Sequence, residues 1–215
     1  MFDLIFEAVR DSMYMLVAST AIAYVIGLPL GVLLVVTDKN GISPNAPINF
    51  SVGVVVNVLR SVPFLILMIA IQPFTKLVAG TTIGNDATIV ALVVASAPFI
   101  ARLVESSMKE VDPGVIEAAQ SMGASKVTIV TKVILAEAKP SILTGAVVAS
   151  ITILGYSAMA EILEGSGLGS VAINYGYYKF DGRTMWIMIA VLLILVQIIQ
   201  EVGMRVAGKV DNRLS

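Results

Sequence analysis

Long apolar runs separated by short polar stretches organise this chain. Five runs stand out, at about residues 14–36, 59–78, 87–104, 142–162 and 185–206, and residues 186–199 contain no charged side chain. About 20 apolar residues in a helix cross a hydrocarbon core of about 30 Å. The pattern therefore predicts an all-α membrane protein with five transmembrane helices. Thr37-Asp38-Lys39-Asn40-Gly41 ends the first run, and a polar stretch of residues 105–141 separates the third from the fourth. The first run is longer than a signal-peptide core, and no small-residue cleavage site follows it, so it reads as a retained helix. Gly27 and Gly31 in the first span, and Gly145 and Ala149 in the fourth, are spaced as small-x-x-x-small pairs, which predict close helix packing. No internal repeat is visible, so a transport path through the membrane requires a second copy.

Composition sharpens this picture. Hydrophobic residues make up 57% of the 215 and charged residues 13%, against about a quarter charged in soluble domains. Cysteine and histidine are both absent. That excludes thiol catalysis, disulfides, the usual imidazole metal sites and histidine proton relays. The net charge of −1 says less than its distribution. With the N-terminus outside, ten basic residues fall on cytoplasmic segments: Lys39, Arg60, Arg102, Lys109, Lys126, Lys132, Lys139, Arg205, Lys209 and Arg213. The outer segments then hold Arg10, Lys76, Lys179 and Arg183. The positive-inside rule thus predicts an outer N-terminus, a cytoplasmic C-terminus and a cytoplasmic polar loop.

That loop carries the most informative pattern. Asp112-Pro113-Gly114 reads as a helix start, with Pro113 in the first helical position. Ile116, Ala119 and Met122 follow at helical spacing as an apolar stripe. Gly123 breaks the helix and predicts a positive φ. Val127, Val130, Val133 and Ile134 then mark a second amphipathic stretch, which Lys139-Pro140 is expected to end. Ala118 and Ala119 leave a smooth surface, suited to a groove in another protein. The alternative from the residues alone is a helix lying on the lipid surface.

Glu117-Ala118-Ala119, three residues and then Gly123 resembles the E-A-A-x-x-x-G loop of binding-protein-dependent ABC permeases. The pattern there usually closes with Leu-Pro, where this chain has Leu135-Ala136. The resemblance implies the type I importer permease fold as one domain over residues 1–215. It also implies a coupling helix, within residues 105–141, that seats in a groove of a separate ATPase. Pro113, Glu117, Ala118, Ala119, Gly123, Val127 and Val130 are the coupling candidates. Implied partners are a second copy, two ATPase subunits that carry ATP and magnesium, an extracytoplasmic substrate-binding protein and the bilayer. No cofactor on this chain and no nucleic acid is expected.

Arg60-Ser61-Val62-Pro63-Phe64, Gly80-Thr81-Thr82-Ile83-Gly84, Ala97-Pro98-Phe99-Ile100-Ala101-Arg102 and Gly155-Tyr156-Ser157-Ala158-Met159-Ala160 are similar to the methionine importer permeases. So are Gly167-Leu168-Gly169 and Tyr175-Gly176-Tyr177. The resemblance implies a non-enzymatic permease for methionine or a related amino acid. Another amino acid, a small peptide, or an ion-driven transporter are the alternatives. Glu161 and Glu164 stand where those permeases are mostly small and neutral.

Other motifs carry less. Residues 165–169 are glycine-rich but lack the Gly-Lys-Ser/Thr ending of a phosphate-binding loop, as does Gly208-Lys209-Val210. A flexible or tightly turned outer loop is the better reading of the first. Lys76 and Glu105 border spans and are accounted for by snorkelling. Arg60, flanked by Asn57 and Ser61, is either an interface anchor or a cavity residue. Ser157 and Met159 lie near the outer end of the fourth span. Met159 either packs there or forms a soft outer gate.

Overall fold

The computed structural model describes residues 2–210. Met1 and residues 211–215, which include the predicted cytoplasmic Arg213, lie outside them. The described residues are helical, joined by short turns. Helix α1 (Phe2–Thr37) is 36 residues long. It reaches about 54 Å at 1.5 Å per residue, well beyond a bilayer core. It packs along α5 (Gly84–Lys109). The reason is at Gly27 and Gly31, where an added Cβ would lie 2.7 Å from Ala97 O and 2.6 Å from Ala101 O. The predicted glycine pair thus brings two backbones into direct contact. At Gly145 the nearest atom is a Leu103 side-chain carbon at 3.5 Å, an ordinary packing distance.

The second predicted span, residues 59–78, is not one helix. Helix α2 (Ala46–Ser61) begins 13 residues earlier, capped by the Asn45 side chain. It ends at Val62-Pro63 because a residue before proline favours extended backbone, here φ −84° and ψ 127° at Val62. The chain bends by 105° into α3 (Phe64–Ala70). Helix α4 (Gln72–Ala79) follows and closes at Gly80, with φ 74°. Among the described residues four helices are long and apolar enough to cross a membrane, or five when the bent α2–α3 pair is counted as one span.

Helix α6 (Pro113–Ser121) is short and precedes α7, which runs from Lys126 to Ser157. Residues Ile129–Ile134 of α7 are π-helical. Lys139-Pro140 does not end this helix, contrary to expectation. Pro140 lies inside it, since proline can kink a long helix at the loss of one hydrogen bond rather than stop it. The fourth span also ends at Ser157 rather than near residue 162. Ala160–Leu163 is a separate 3₁₀ turn. Helix α8 (Leu168–Val171) passes into a π-helical stretch, Ala172–Tyr178, before α9 (Gly182–Val210). Only Thr184, Met188 and Ala207 of α9 are buried, so an apolar face remains uncovered.

The two largest apolar clusters lie towards opposite ends of the bundle. Towards one end Met15, Met68, Leu92 and Ile153 interlock, all below 1% exposed. Towards the other, Ile100, Val104, Met108, Ala119, Ile129 and Ile134 pack together. The second cluster ties α6 to the ends of α5 and α7 and so fixes the loop that follows α5.

Candidate functional site

Helix α6 is held at both ends. The Asp112 side chain accepts from Gly114 N at 2.6 Å, satisfying one of the free first-turn donors. At the other end Ala124 N donates to Ala119 O at 3.1 Å and Gly123 N to Gln120 O at 2.9 Å. This is the Schellman arrangement, and it requires a left-handed residue. Gly123 supplies it with φ 75°, as its place in the sequence predicts. Ser125 then caps α7, accepting from Thr128 N at 3.2 Å.

The faces of this element differ from the predicted ones. Ala119 is buried, packed into the chain's own core rather than presented outward. Met122, expected on the inner stripe with Ile116 and Ala119, is 81% exposed, because it is the cap residue where the helix is turning away. Val127 is 72% exposed, and Val130 and Val133 are only partly covered. The buried pair is Ile129 and Ile134, five residues apart. Hydrogen bonds from i to i+5 in the π segment bring residues at that spacing onto successive turns, and an α-helical reading misses that. The exposed surface is therefore Val115, Glu117, Ala118, Met122 and Val127, with Pro113 at its edge.

Beside α6 lies a cavity of about 600 Å³. Its lining combines apolar Val36, Met108 and Ile116 with charged Asp38, Lys109 and Glu117. From Asp38 and Lys109 a polar chain runs into the bundle. Lys109 Nζ donates to Asp38 Oδ2 at 3.1 Å and to Glu105 Oε1 at 2.8 Å. Arg102 bonds the other oxygen of Glu105, and donates to Asn57 Oδ1 at 2.7 Å. Glu105 is buried with two cationic partners, so it is a structural link and not a snorkelling border residue. Its partners at i−3 and i+4 share one face of α5, a signal present in the sequence. Asn40 N–H and then Lys109 hold the Asp38 carboxyl below its ordinary 3.8. The chain connects the loop after α1, the end of α5 and, through Asn57, the C-terminal part of α2.

The opposite end of the bundle is built on hydrogen bonds to one turn. Ser166 N donates to Asn85 Oδ1 at 2.7 Å, Ser166 Oγ donates to Asp11, and Leu168 N donates to Ser12 Oγ at 2.9 Å. Gly167 has φ 133°, and a Cβ on Gly169 would lie 2.2 Å from Ala158 Cα. The glycine-rich loop is thus tightly turned. Ser157 is buried and donates to Leu154 O at 2.7 Å. Met159 is 37% exposed at the start of the 3₁₀ turn. Glu161 is half-buried, and Glu164 is exposed with φ 54°. Arg60 is remote from all of these, on the last turn of α2, with its guanidinium carbon 5.8 Å from the Phe99 ring centre.

The sequence pattern of the family described as "Binding-protein-dependent transport system inner membrane component" matches residues 27–206. The chain belongs to that family. It is a multi-pass protein of the bacterial inner membrane with the permease fold of type I ABC importers. Among relatives of this permease, a Vibrio cholerae protein called "Probable D-methionine transport system permease protein MetI" is 47% identical over 211 residues, covering 98% of this chain and 94% of that one. The "Methionine import system permease protein MetP" of Bacillus subtilis is 42% identical, covering 84% and 82%. A solved structure described as inward facing conformations of the MetNI methionine ABC transporter superposes with a TM-score of 0.96 at 42% identity, covering 99% and 98%. An amino acid ABC transporter crystallised with histidines shares the fold at TM-score 0.80 and 20% identity.

Proposed function

We propose that this chain is the permease subunit of an ATP-driven importer of methionine, in which two copies form the path and each seats one α6 loop in an ATPase subunit. The observation that carries this is the rigid presentation of Val115, Ala118, Met122 and Val127 outside the bundle, on a helix locked by Asp112 and Gly123. An exposed apolar surface on a capped helix fits a groove in a partner. The names of its relatives support the substrate. The basic residues, with Arg60 left out of the count, support an outer N-terminus and a cytoplasmic α6.

ATP and magnesium belong to the ATPase in this reading, and a substrate-binding protein delivers the amino acid from outside. When the ATPase pair closes on ATP, each α6 loop moves with it. Ala119 anchors the loop in the α5–α7 core, so the motion passes into the bundle and opens the outer side. Hydrolysis returns the inward-open state. Met159, Glu161 and Glu164 border the outer turn, where a gate and a docking surface for the binding protein would lie. No side chain here performs chemistry. Uptake of labelled methionine into proteoliposomes holding this chain, its ATPase and binding protein tests the reading. Uptake that needs ATP is expected. ATP-independent uptake driven by an ion gradient contradicts it.

A further inference from the structure

Arg60 stands at the middle of the bundle without a carboxylate partner among the described residues. Its depth follows from Phe99, over whose ring it lies. Phe99 is 15 residues from the start of α5 and 10 from its end. At 1.5 Å per residue it is about 22 Å from one end and about 15 Å from the other. Charges at such depth are costly and face a protein interior or a water-filled cavity. Yet Arg60 is exposed on this chain, and so are Asn57 and Ser61 beside it. Ser61 Oγ is satisfied within the helix, donating to Asn57 O at 2.8 Å, but the Arg60 guanidinium and the Asn57 amide do not suit acyl chains.

The neighbouring charges do not neutralise Arg60. Arg102, Glu105, Lys109 and Asp38 form a closed set of two cations and two anions. Arg60 is the surplus positive charge. The bend of 105° just beyond it also ends the helix inside the bundle. The last carbonyls of a helix lack intrahelical partners, and in a membrane such backbone is tolerated where it lines a water-filled path. Asn57 accepts from Arg102 through Oδ1, and among the described residues its amide N–H groups donate to no side chain or carbonyl, so they are open to a ligand.

We infer that Arg60, with Asn57 beside it at the α2 bend, lines the translocation path and binds the carboxylate of the amino acid in transit. The guanidinium offers a planar pair of donors to a carboxylate, a geometry that lysine lacks. The Phe99 ring supports the guanidinium from one side by a cation–π contact. The site is a way station: one arginine with a neutral amide grips a carboxylate weakly enough to release it. The inference rests on the reading of the chain as an amino-acid permease and adds a recognition site to it.

The test uses the assembled permease–ATPase complex and L-methionine against L-methioninamide, in which the carboxylate is an uncharged amide. Equilibrium binding of both is measured in detergent without the binding protein. In the wild type, acid should be preferred over amide by on the order of 100-fold, the scale of an unpaired buried charge. Arg60→Gln should lower that preference to near unity, and Arg60→Lys should keep part of it. In proteoliposomes with the binding protein, Arg60→Gln should slow methionine uptake while retaining stimulated ATP hydrolysis. A preference that survives Arg60→Gln, or a wild type without one, overturns the assignment. So does an Arg60→Gln complex that loses its ATPase while Arg60→Lys restores assembly without the acid preference, because that marks an anchoring role. If the wild type fails to import methionine with ATP, the reading beneath the inference falls instead.

Discussion

Asp38 and Lys109 are 71 positions apart and meet at 3.1 Å between Oδ2 and Nζ, closing the loop after α1 onto the end of α5. The Asp38 carboxyl titrates below the ordinary 3.8, first through the Asn40 N–H and then through Lys109. A lowered carboxyl value means that the unfolded chain binds the proton more readily. The stabilisation is therefore fully present above 3.8 and is lost as pH falls below it. Asp38→Asn should lower thermal stability in detergent by about 0–1 kcal/mol at neutral pH. The gap from wild type should close as pH falls through the acidic range below 3.8. Thermal unfolding of both proteins across that range is the check.

Gly123 adopts φ 75°, with nothing near the position a Cβ would take. Space is therefore not the obstacle; backbone conformation is. Gly123→Val should cost roughly 1–2 kcal/mol, and Gly123→Asn less, since asparagine tolerates the left-handed region. Under the proposed function, Gly123→Val should also weaken retention of the ATPase during purification. Thermal melts alongside co-purification yields measure both.

Gly27 and Gly145 separate close backbone contact from ordinary packing. Gly27→Leu pushes a side chain into Ala97 O and Ile100 at 2.7–2.8 Å, and overpacking of this kind costs about 1–3 kcal/mol or more. Gly145→Ala meets Leu103 at 3.5 Å and should melt within about 0.5 kcal/mol of wild type. Equal losses at the two sites would contradict the α1–α5 contact.

The long spans and the left-handed glycine were legible in the sequence, because apolar run length and turn chemistry are local properties. The faces of α6 were not. Ala119 fitted both the apolar stripe and the smooth outer pair with Ala118, and only its place in a cluster with Val104, Met108 and Ile134 of other helices decides for the stripe. Met122 continues the stripe in sequence but stands where the helix has already turned. Ile129 and Ile134 follow the i+5 spacing of a π segment, which a search for 3.6-residue periodicity passes over. Pro63 broke the second span while Pro140 left the fourth intact. The difference lies in what surrounds each: Val62 is extended, whereas Pro140 sits within a helix supported on both sides. The polar chain from Asp38 to Asn57 needed the fold to bring its members together, although Arg102, Glu105 and Lys109 already shared a helix face.

Orientation in the membrane has its own test. The native chain has no cysteine, so single thiols report cleanly. Thiols introduced at Asp3 and Asp181 should react with an impermeant reagent from outside intact cells. One at Ser125 should react after the inner face is exposed. The reverse pattern would place α6 outside and remove it from any cytoplasmic ATPase.

Under the proposed function, the ATPase seats on the exposed surface of α6 and its turn. Met122→Cys puts a single thiol on that surface, and its labelling by a maleimide in detergent reads the contact directly. Labelling should be fast on the permease stripped of its ATPase and at least about 10-fold slower in the assembled complex, while a thiol at Asp181 reacts equally in both. Equal labelling of Met122→Cys with and without the ATPase would contradict the account.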